Sequence, residues 1–155
     1  VSADYLDSIR EIEPKVSLLK ERRPFLGILI TIDSNNYLAP LTSPKQKHKT
    51  MKNLEDFIKI DSGNYGAINL NNMIPAPSEA VIDIDISNIS DKDYRLLLSE
   101  QARAFRQDED KIKKKAIVLY NQVAKLDDSN PLKRRCCNFK MLEQKALDYV
   151  DALNL

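Results

Sequence analysis

The spacing of apolar residues divides the chain into a strand-rich first part and a helical second part. Near the start, Tyr5, Leu6, Ile9 and Ile12 recur at helical intervals, and Pro14 follows them. Apolar residues three or four positions apart lie on one face of a helix, and a proline ends it. The pattern therefore predicts one short helix ahead of the strands.

A β-hairpin is predicted next. Residues 25–32 form an apolar run suited to a buried strand, residues 33–36 are Asp-Ser-Asn-Asn, and Tyr37 starts a second apolar run. A polar cluster between two such runs predicts a turn, here of four residues. Proline cannot donate to a β-ladder, so Pro40 and Pro44 are expected to limit the return strand.

Further short segments predict additional strands. They cover residues 57–60, 67–70, 73–74 and 81–86. The last segment alternates apolar residues with Asp83 and Asp85, a pattern typical of a strand with one solvated face.

From residue 91 onward the apolar period becomes helical. It predicts one helix over 91–105, a second over 112–123 and a last one over 139–150, with Asn138 as its N-cap. Strands followed by helices predict an α+β fold, in which an antiparallel sheet has its helices packed on one side.

Composition and charge indicate a single globular domain over residues 1–155. The chain is 43% apolar and 30% charged, and its formal net charge is +1. Residues 1–60 carry +2, residues 61–110 carry −6 and residues 111–155 carry +5. Positive charge at both ends is compatible with a basic face that binds a polyanion.

The expected compartment is the cytoplasm. Cys136 and Cys137 are adjacent and lack the spacing of zinc or redox sites, which predicts a packing role in a reducing environment. Neither a leader peptide nor a membrane-spanning run is predicted from the apolar pattern.

Most catalytic chemistries do not fit the residues present. His48 is the single histidine, and three glycines leave little material for a phosphate-binding loop. Asp83 and Asp85 could bind a divalent ion, but they fit a solvated strand face better. A serine–histidine–aspartate triad would have to use His48, and the G-x-S-x-G turn is missing. We therefore predict no metal and no cofactor.

The segment that ends the hairpin carries the most chemical information. Thr42 and Ser43 place two hydroxyls beside Lys45, and Arg23 lies at the start of the facing strand. Hydroxyls can bond the non-bridging oxygens of a phosphodiester, and cations can neutralise its developing charge. RNA then supplies its own nucleophile, the 2′-hydroxyl. Taken alone, Thr-Ser-Pro-Lys also fits a turn held by its hydroxyls, so both interpretations stay open.

Residue blocks along nearly the whole chain carry a family resemblance. They comprise Phe25-Leu26-Gly27-Ile28, Tyr37–Lys45, Ile68-Asn69-Leu70, Met73-Ile74-Pro75, Tyr94-Arg95, Gln101, Phe105-Arg106, Cys137-Asn138-Phe139 and Leu142-Glu143. In this order they resemble the type III toxin–antitoxin endoribonuclease toxins, the ToxN/AbiQ family, and within it the CptN branch.

The resemblance implies a compact, highly curved antiparallel sheet similar to the Kid/MazF toxin core. It implies metal-independent cleavage of adenine-rich RNA that leaves 2′,3′-cyclic phosphate and 5′-hydroxyl ends. The implied partner is a small repetitive pseudoknotted antitoxin RNA, which the toxin processes and which inhibits it within a closed protein–RNA ring. The implied substrates are cellular or phage messenger RNAs.

The resemblance also implies roles for individual residues. The family's essential serine falls on Ser43, and its neighbours fall on Thr42 and Lys45. A family lysine falls on Arg23, which keeps the charge but cannot transfer a proton, because a guanidinium stays protonated. A tyrosine found upstream of that lysine in some relatives has no counterpart in Leu18-Leu19-Lys20.

Basic residues outside the catalytic group are predicted to bind the RNA backbone. They are Arg22, Lys47, His48, Lys49, Lys52, Lys113, Lys114, Lys115, Lys133, Arg134 and Arg135. Tyr5, Tyr37, Tyr65 and Phe139 could stack on bases but fit core positions better.

Two other functions stay compatible with the sequence. One is a non-catalytic RNA-binding module of similar fold, which has no need of two hydroxyls beside Lys45. The other is a protein-interaction domain whose basic runs bind an acidic partner.

Overall fold

The computed structural model describes residues 1–16 and 26–155. Phe25 and the predicted site residues Arg22 and Arg23 lie outside the described residues. The helices are α1 (Ala3–Arg10), α2 (Gln46–Thr50), α3 (Lys92–Val123), α4 (Pro131–Arg135) and α5 (Phe139–Leu153). The strands are β1 (Gly27–Ile32), β2 (Asn35–Thr42), β3 (Phe57–Lys59), β4 (Ala67–Asn69) and β5 (Ile74–Pro75). Over the described ranges, no helix is both long enough and apolar enough to cross a bilayer.

The described strands form one antiparallel sheet, so the predicted α+β class is confirmed. Strand β2 lies at its centre. One edge of β2 pairs with β1, and the other pairs with β5 near Tyr37 and with β4 at Leu41 and Thr42. Because β2 contacts three strands, the loop that follows Thr42 starts from the most constrained strand of the sheet.

The hairpin between β1 and β2 is tighter than predicted. Ile32 pairs with Asn35, which leaves Asp33 and Ser34 as the turn, and Asp33 takes a φ of 53°. The prediction of a four-residue turn was wrong because exposed asparagines can belong to a strand when the facing strand satisfies their backbone groups.

Pro40 does not end β2, contrary to the prediction. The Leu41 N–H donates to the Leu26 carbonyl at 3.0 Å, so alternation directs the Pro40 nitrogen toward the other edge of β2. There Pro40 lies between the residues that pair with β5 and those that pair with β4. The missing N–H therefore falls where no strand needs a donor.

The predicted strand over residues 81–86 is also wrong. Residues 81–85 have no ladder partner within the described ranges 1–16 and 26–155, and a 3-10 turn follows at Ile86–Asn88. The Asp85 carboxylate accepts hydrogen bonds from the Ser87 N–H at 2.9 Å and the Asn88 amide at 3.0 Å. Apolar–acidic alternation does not distinguish a paired strand from an extended segment that ends in a local cap.

Two predicted helices form one continuous element, α3. The Asp91 carboxylate caps it by accepting the Tyr94 N–H at 3.0 Å, and Asp108 departs from helical geometry with φ −113° and ψ 18°. The polar run 106–111 suggested a break. These residues are mostly exposed, so the helix passes through them as a solvated stretch with a local distortion at Asp108.

A half-buried carboxylate cluster lies between the sheet and the long helices. Glu143 of α5 accepts hydrogen bonds from the Tyr37 hydroxyl at 2.6 Å and the Tyr120 hydroxyl at 2.5 Å, and Lys140 lies 3.0 Å away. The Phe139 ring packs against both tyrosines. Burial, together with the hydrogen bond to Glu143, raises the pKa of Tyr37. The cluster therefore joins β2, α3 and α5 through one charged group.

Removing that carboxylate should destabilise the whole fold. We expect Glu143→Ala to lower the free energy of unfolding by about 2–3 kcal/mol, because two buried hydroxyls lose their acceptor. Glu109→Ala is the matched control, since Glu109 pairs with Lys113 on an exposed helix face and should cost about 0.5 kcal/mol or less. Urea denaturation measures both, and equal losses would contradict the role of Glu143.

Candidate active site

The hydroxyl loop, residues 42–45, connects the end of β2 to the start of α2. Thr42 and Ser43 are half-buried, and Lys45 is exposed. In the described part of the chain the Ser43 hydroxyl has no hydrogen-bond partner, and the Thr42 hydroxyl lies 3.5 Å from the Ala67 carbonyl. At that distance the bond is weak. Both hydroxyls are therefore available to a ligand.

His48 holds the hydroxyl loop in place through its backbone. The Lys45 N–H donates to His48 Nδ1 at 3.2 Å, and the His48 N–H donates to the Lys45 carbonyl at 2.9 Å. The His48 ring packs on Phe57, with 5.5 Å between the ring centroids. Burial, and then the charges of Lys45 and Lys47, lower the pKa of His48. The imidazole is therefore neutral and can accept the bond from Lys45.

The turn at residues 61–66 packs closely under the hydroxyl loop. Gly66 has a φ of 84°, and a Cβ there would lie 1.9 Å from the Thr42 carbonyl oxygen. Gly63 has a φ of 94°, and a Cβ there would lie 2.7 Å from the His48 carbonyl oxygen. Only glycine fits both the backbone conformation and the close approach.

Gln101 of α3 joins this turn to the hydroxyl loop. Its side-chain amide donates to the Thr42 carbonyl at 3.2 Å and to the Tyr65 carbonyl at 2.8 Å, and the residue is 2% exposed. Both amide protons are used, so the two backbone segments are held at a set spacing. The sequence prediction did not include Gln101 as a site residue. The sequence could have indicated Gln101 because it places an amide on the apolar face of a predicted helix, three residues after Leu98.

The arrangement suits the binding of an anion. The backbone of the hydroxyl loop is bonded to His48 and Gln101, whereas the Ser43 hydroxyl has no partner among the described residues and the Thr42 hydroxyl has only its weak bond to the Ala67 carbonyl. Lys45, Lys47 and Lys49 are exposed in and after the loop. Free hydroxyls beside exposed cations on a rigid backbone can bind a phosphodiester and stabilise charge that develops on it.

His48 itself does not fit the direct RNA contact predicted for it. The side chain is 2% exposed and so offers no surface to a ligand. Its place in the sequence among lysines suggested a basic surface. The fold turns the imidazole inward instead, because its ring nitrogen completes the bonding of the loop.

The other basic runs lie on different elements. Lys113, Lys114 and Lys115 follow Gln101 by 12 or more residues along α3, about 18 Å of helix rise. Lys113 pairs with Glu109 at 2.5 Å. Arg135 of α4 pairs with Asp56 at 2.9 Å, next to the Phe57 that packs on His48. Lys114 and Lys115 line a surface cavity with Glu55, and Arg135 pairs with the neighbouring Asp56, so the structure brings both basic groups to the same segment of the chain.

Comparison with known proteins decides the family. The model for the toxin ToxN of type III toxin–antitoxin systems matches residues 1–147. The chain belongs to the ToxN family. Two curated ToxN-family relatives are endoribonucleases. Endoribonuclease ToxN of Pectobacterium atrosepticum is 32% identical over 162 residues, which cover 96% of this chain and 91% of the relative. Endoribonuclease ToxN of Bacillus thuringiensis subsp. kurstaki is 30% identical over 158 residues, which cover 96% and 81%.

Solved structures agree with the ToxN assignment. One, from a bacterial antiviral system regulated by a processed non-coding RNA, has a TM-score of 0.76 and 31% identity, covering 96% of this chain and 95% of that chain. Another, from a type III system with selective toxin inhibition by a non-coding RNA pseudoknot, has a TM-score of 0.78 and 28% identity, covering 96% and 94%. The lactococcal anti-phage endoribonuclease AbiQ, at 24% identity and a TM-score of 0.76, shares the fold. The predicted family and endoribonuclease class are confirmed.

Loss of the Gln101 amide should loosen the hydroxyl loop selectively. We expect Gln101→Leu to lower the free energy of unfolding by about 1–3 kcal/mol, because two backbone carbonyls lose their donor. Amide exchange at Lys45 and His48 should become faster. Gln107→Leu, at an exposed position of α3, is the matched control and should change neither the free energy of unfolding nor the amide exchange at Lys45 and His48. Unchanged exchange in Gln101→Leu would show that the amide does not hold the loop.

The neutral state of His48 predicts a pH dependence of stability. The pKa is lowered from its ordinary value of 6.5, so the unfolded chain takes up a proton at a pH where the folded chain does not. Neutral His48 should therefore make its full contribution to the free energy of unfolding above about pH 6.5, and this contribution should fall as the pH drops below that value. The asparagine in His48→Asn has an amide oxygen that can accept the bond from Lys45 but does not titrate. In this variant the fall in the free energy of unfolding that is due to His48 should disappear. Urea titrations of both proteins across the pH range measure the difference.

Proposed function

We propose that this single-domain chain is a metal-independent endoribonuclease toxin that cleaves adenine-rich RNA at the hydroxyl loop. The observation that carries the proposal is the Ser43 hydroxyl, which has no partner among the described residues, next to the weakly bonded Thr42 hydroxyl and the exposed Lys45 on a loop held through its backbone. Endoribonuclease relatives at 30% and 32% identity support the same chemistry.

The proposed reaction uses the substrate's own nucleophile. The 2′ oxygen forms a bond to phosphorus as the bond from phosphorus to the 5′ oxygen breaks, and the 2′ proton leaves to a base while the 5′ oxygen takes one up. The products are a 2′,3′-cyclic phosphate and a 5′-hydroxyl. Ser43 and Thr42 donate to the non-bridging oxygens, and Lys45 and Arg23 neutralise the charge of the pentavalent transition state.

The proposed regulator is a small pseudoknotted antitoxin RNA. The chain processes this RNA, which then occupies the active groove within a closed protein–RNA ring. In the solved relatives, a processed non-coding RNA regulates one system and a pseudoknot inhibits the toxin of another. The proposed setting is the cytoplasm of a bacterium under phage attack, in line with the anti-phage role of AbiQ.

A basic surface is proposed to guide the RNA to the loop. Lys47, Lys49 and Lys52 are exposed beside it. Arg22 is proposed to bind the RNA backbone as well. Each phosphate contact releases counterions, so affinity should fall steeply as salt rises. Lys114 and Arg134 are exposed as well and are proposed to contact more distant parts of the RNA.

Cleavage should depend on the Ser43 hydroxyl and should need no metal. In excess chelator we expect the unchanged chain to cut long RNA into fragments with cyclic phosphate ends. Ser43→Ala should cut at least about 100-fold more slowly, because one donor to the developing oxyanion is lost. Ser90→Ala, an exposed serine ahead of α3, is the matched control and should cut at the original rate.

Other outcomes distinguish the remaining functions. RNA that stays intact but tightly bound to the unchanged chain would favour the non-catalytic RNA-binding module. Full activity in Ser43→Ala would refute the assignment of the hydroxyl loop, whereas antitoxin RNA should still bind that variant.

A further inference from the structure

A second concave site lies at the junction of α3, α4 and α5. This cavity, here named the junction pocket, has a volume of about 430 Å³. Its floor includes Val123, Ala124 and Phe139, and cationic side chains form its rim. No residue of the hydroxyl loop lines it.

The rim carries an excess of positive charge. Lys15, Lys133, Arg134 and Lys140 line the pocket against a single carboxylate, Asp128. The Lys133 ammonium pairs with Asp128 at 2.9 Å, and the Asp128 side chain is 98% exposed. The Lys140 ammonium pairs with Glu143 at 3.0 Å, so Lys15 and Arg134 are the lining cations without a salt-bridge partner in the described part of the chain, and the pocket favours an anion.

The cations are held at set positions by the backbone. The Lys15 ammonium donates to the Cys136 carbonyl at 2.8 Å, and the Lys133 ammonium donates to the Leu126 carbonyl at 2.8 Å. The Arg134 Nε donates to the Asp128 carbonyl at 3.2 Å. Each of these groups has further protons to donate, and because the carbonyls bear no full charge the positive charge persists at the rim.

The floor is apolar and rigid. The Phe139 ring stacks on Tyr120 with 5.8 Å between centroids and 22° between planes, and both rings are buried, so they support the floor from below while the exposed Ala124 presents it to the opening. Val123 and Ala124 continue this apolar surface at the end of α3. A pocket with an apolar floor and a cationic rim matches a ligand that has a flat, weakly polar part and an attached anion. A nucleotide, with its base and its phosphate, has this chemistry.

The junction pocket and the hydroxyl loop lie at opposite ends of the same strand. Tyr120 and Phe139 pack on Tyr37, with ring centroids 5.7 and 6.0 Å away. Tyr37 precedes Thr42 by five residues of β2, about 17 Å at the usual strand rise. An RNA chain of a few nucleotides is long enough to span this distance, and the two contacts are separate.

We propose that the junction pocket binds one unpaired nucleotide of an RNA chain, with the base against Ala124 on the floor and the phosphate among the rim cations. This inference rests on the proposed function, since it takes RNA as the ligand. The pocket adds affinity for longer RNA and takes no part in bond cleavage.

Two matched pairs of variants test the pocket. Ala124→Glu places a carboxylate on the floor, and Ala152→Glu makes the same change at an exposed alanine near the end of α5. Arg134→Glu reverses a rim charge, and Lys125→Glu reverses an exposed charge that does not line the pocket. The probe is a fluorescent 20-nucleotide single-stranded RNA with 2′-O-methyl groups, which cannot be cleaved, and the readout is anisotropy.

We expect Ala124→Glu and Arg134→Glu each to weaken binding of this RNA about tenfold, the size of one lost base or phosphate contact. Ala152→Glu and Lys125→Glu should bind within twofold of the unchanged chain. Circular dichroism melting shows whether each variant folds. If Ala124→Glu does not fold, the comparison of Arg134→Glu with Lys125→Glu tests the proposal alone. Equal affinities within each pair would overturn the proposal.

Two further measurements separate related outcomes. Adenosine 5′-monophosphate should bind at least about 100-fold more weakly than the RNA, because the pocket gains from a ligand held elsewhere on the protein. If adenosine 5′-monophosphate binds more tightly than this, and if Ala124→Glu abolishes that binding, the pocket takes a free nucleotide and RNA is overturned as its ligand. Cleavage of unmodified RNA by the unchanged chain is scored separately. If it fails, the proposed function fails, whereas equal affinities within the pairs refute the pocket alone.

Discussion

The buried amide of Gln101 is the interaction on which the candidate site depends. It donates to the carbonyls of Thr42 and Tyr65, at 3.2 and 2.8 Å, and so ties α3 to the hydroxyl loop and to the glycine turn beneath it. A buried amide without hydrogen-bond partners costs free energy, so conformations that keep both of these bonds are favoured over those that break them. Because the loop is held through its backbone, the hydroxyls of Thr42 and Ser43 need not be used to stabilise it.

The same helix links the two ends of β2. Gln101 contacts the Thr42 end, and Tyr120 contacts Tyr37 at the other end, where both tyrosines donate to Glu143. A long helix laid along a central strand makes one rigid frame of the sheet and the helical layer. Polar groups inside the frame are paired, whereas the cations at its surface are largely available for a polyanion.

Local sequence chemistry predicted the parts of the fold that depend on neighbouring residues. The hairpin, the cap at Asn138 and the hydroxyl loop itself follow from turn residues, helix caps and apolar spacing. The predictions that failed depend on distant partners. Residues 81–86 have the pattern of a strand but pair with none of the described strands, and Pro40 stays in β2 because its missing donor faces a gap between two strands.

The sequence by itself determined the family and the chemical groups of the candidate site, because hydroxyls beside lysines are contiguous in the chain and the resemblance spans nearly all of it. Only the tertiary structure decided which polar groups support those hydroxyls. Gln101 lies 59 residues from Thr42 in the chain and meets it only after α3 packs along the sheet. His48 belongs by sequence to the basic cluster, yet burial makes it a neutral acceptor for the loop, since desolvation disfavours its charged form.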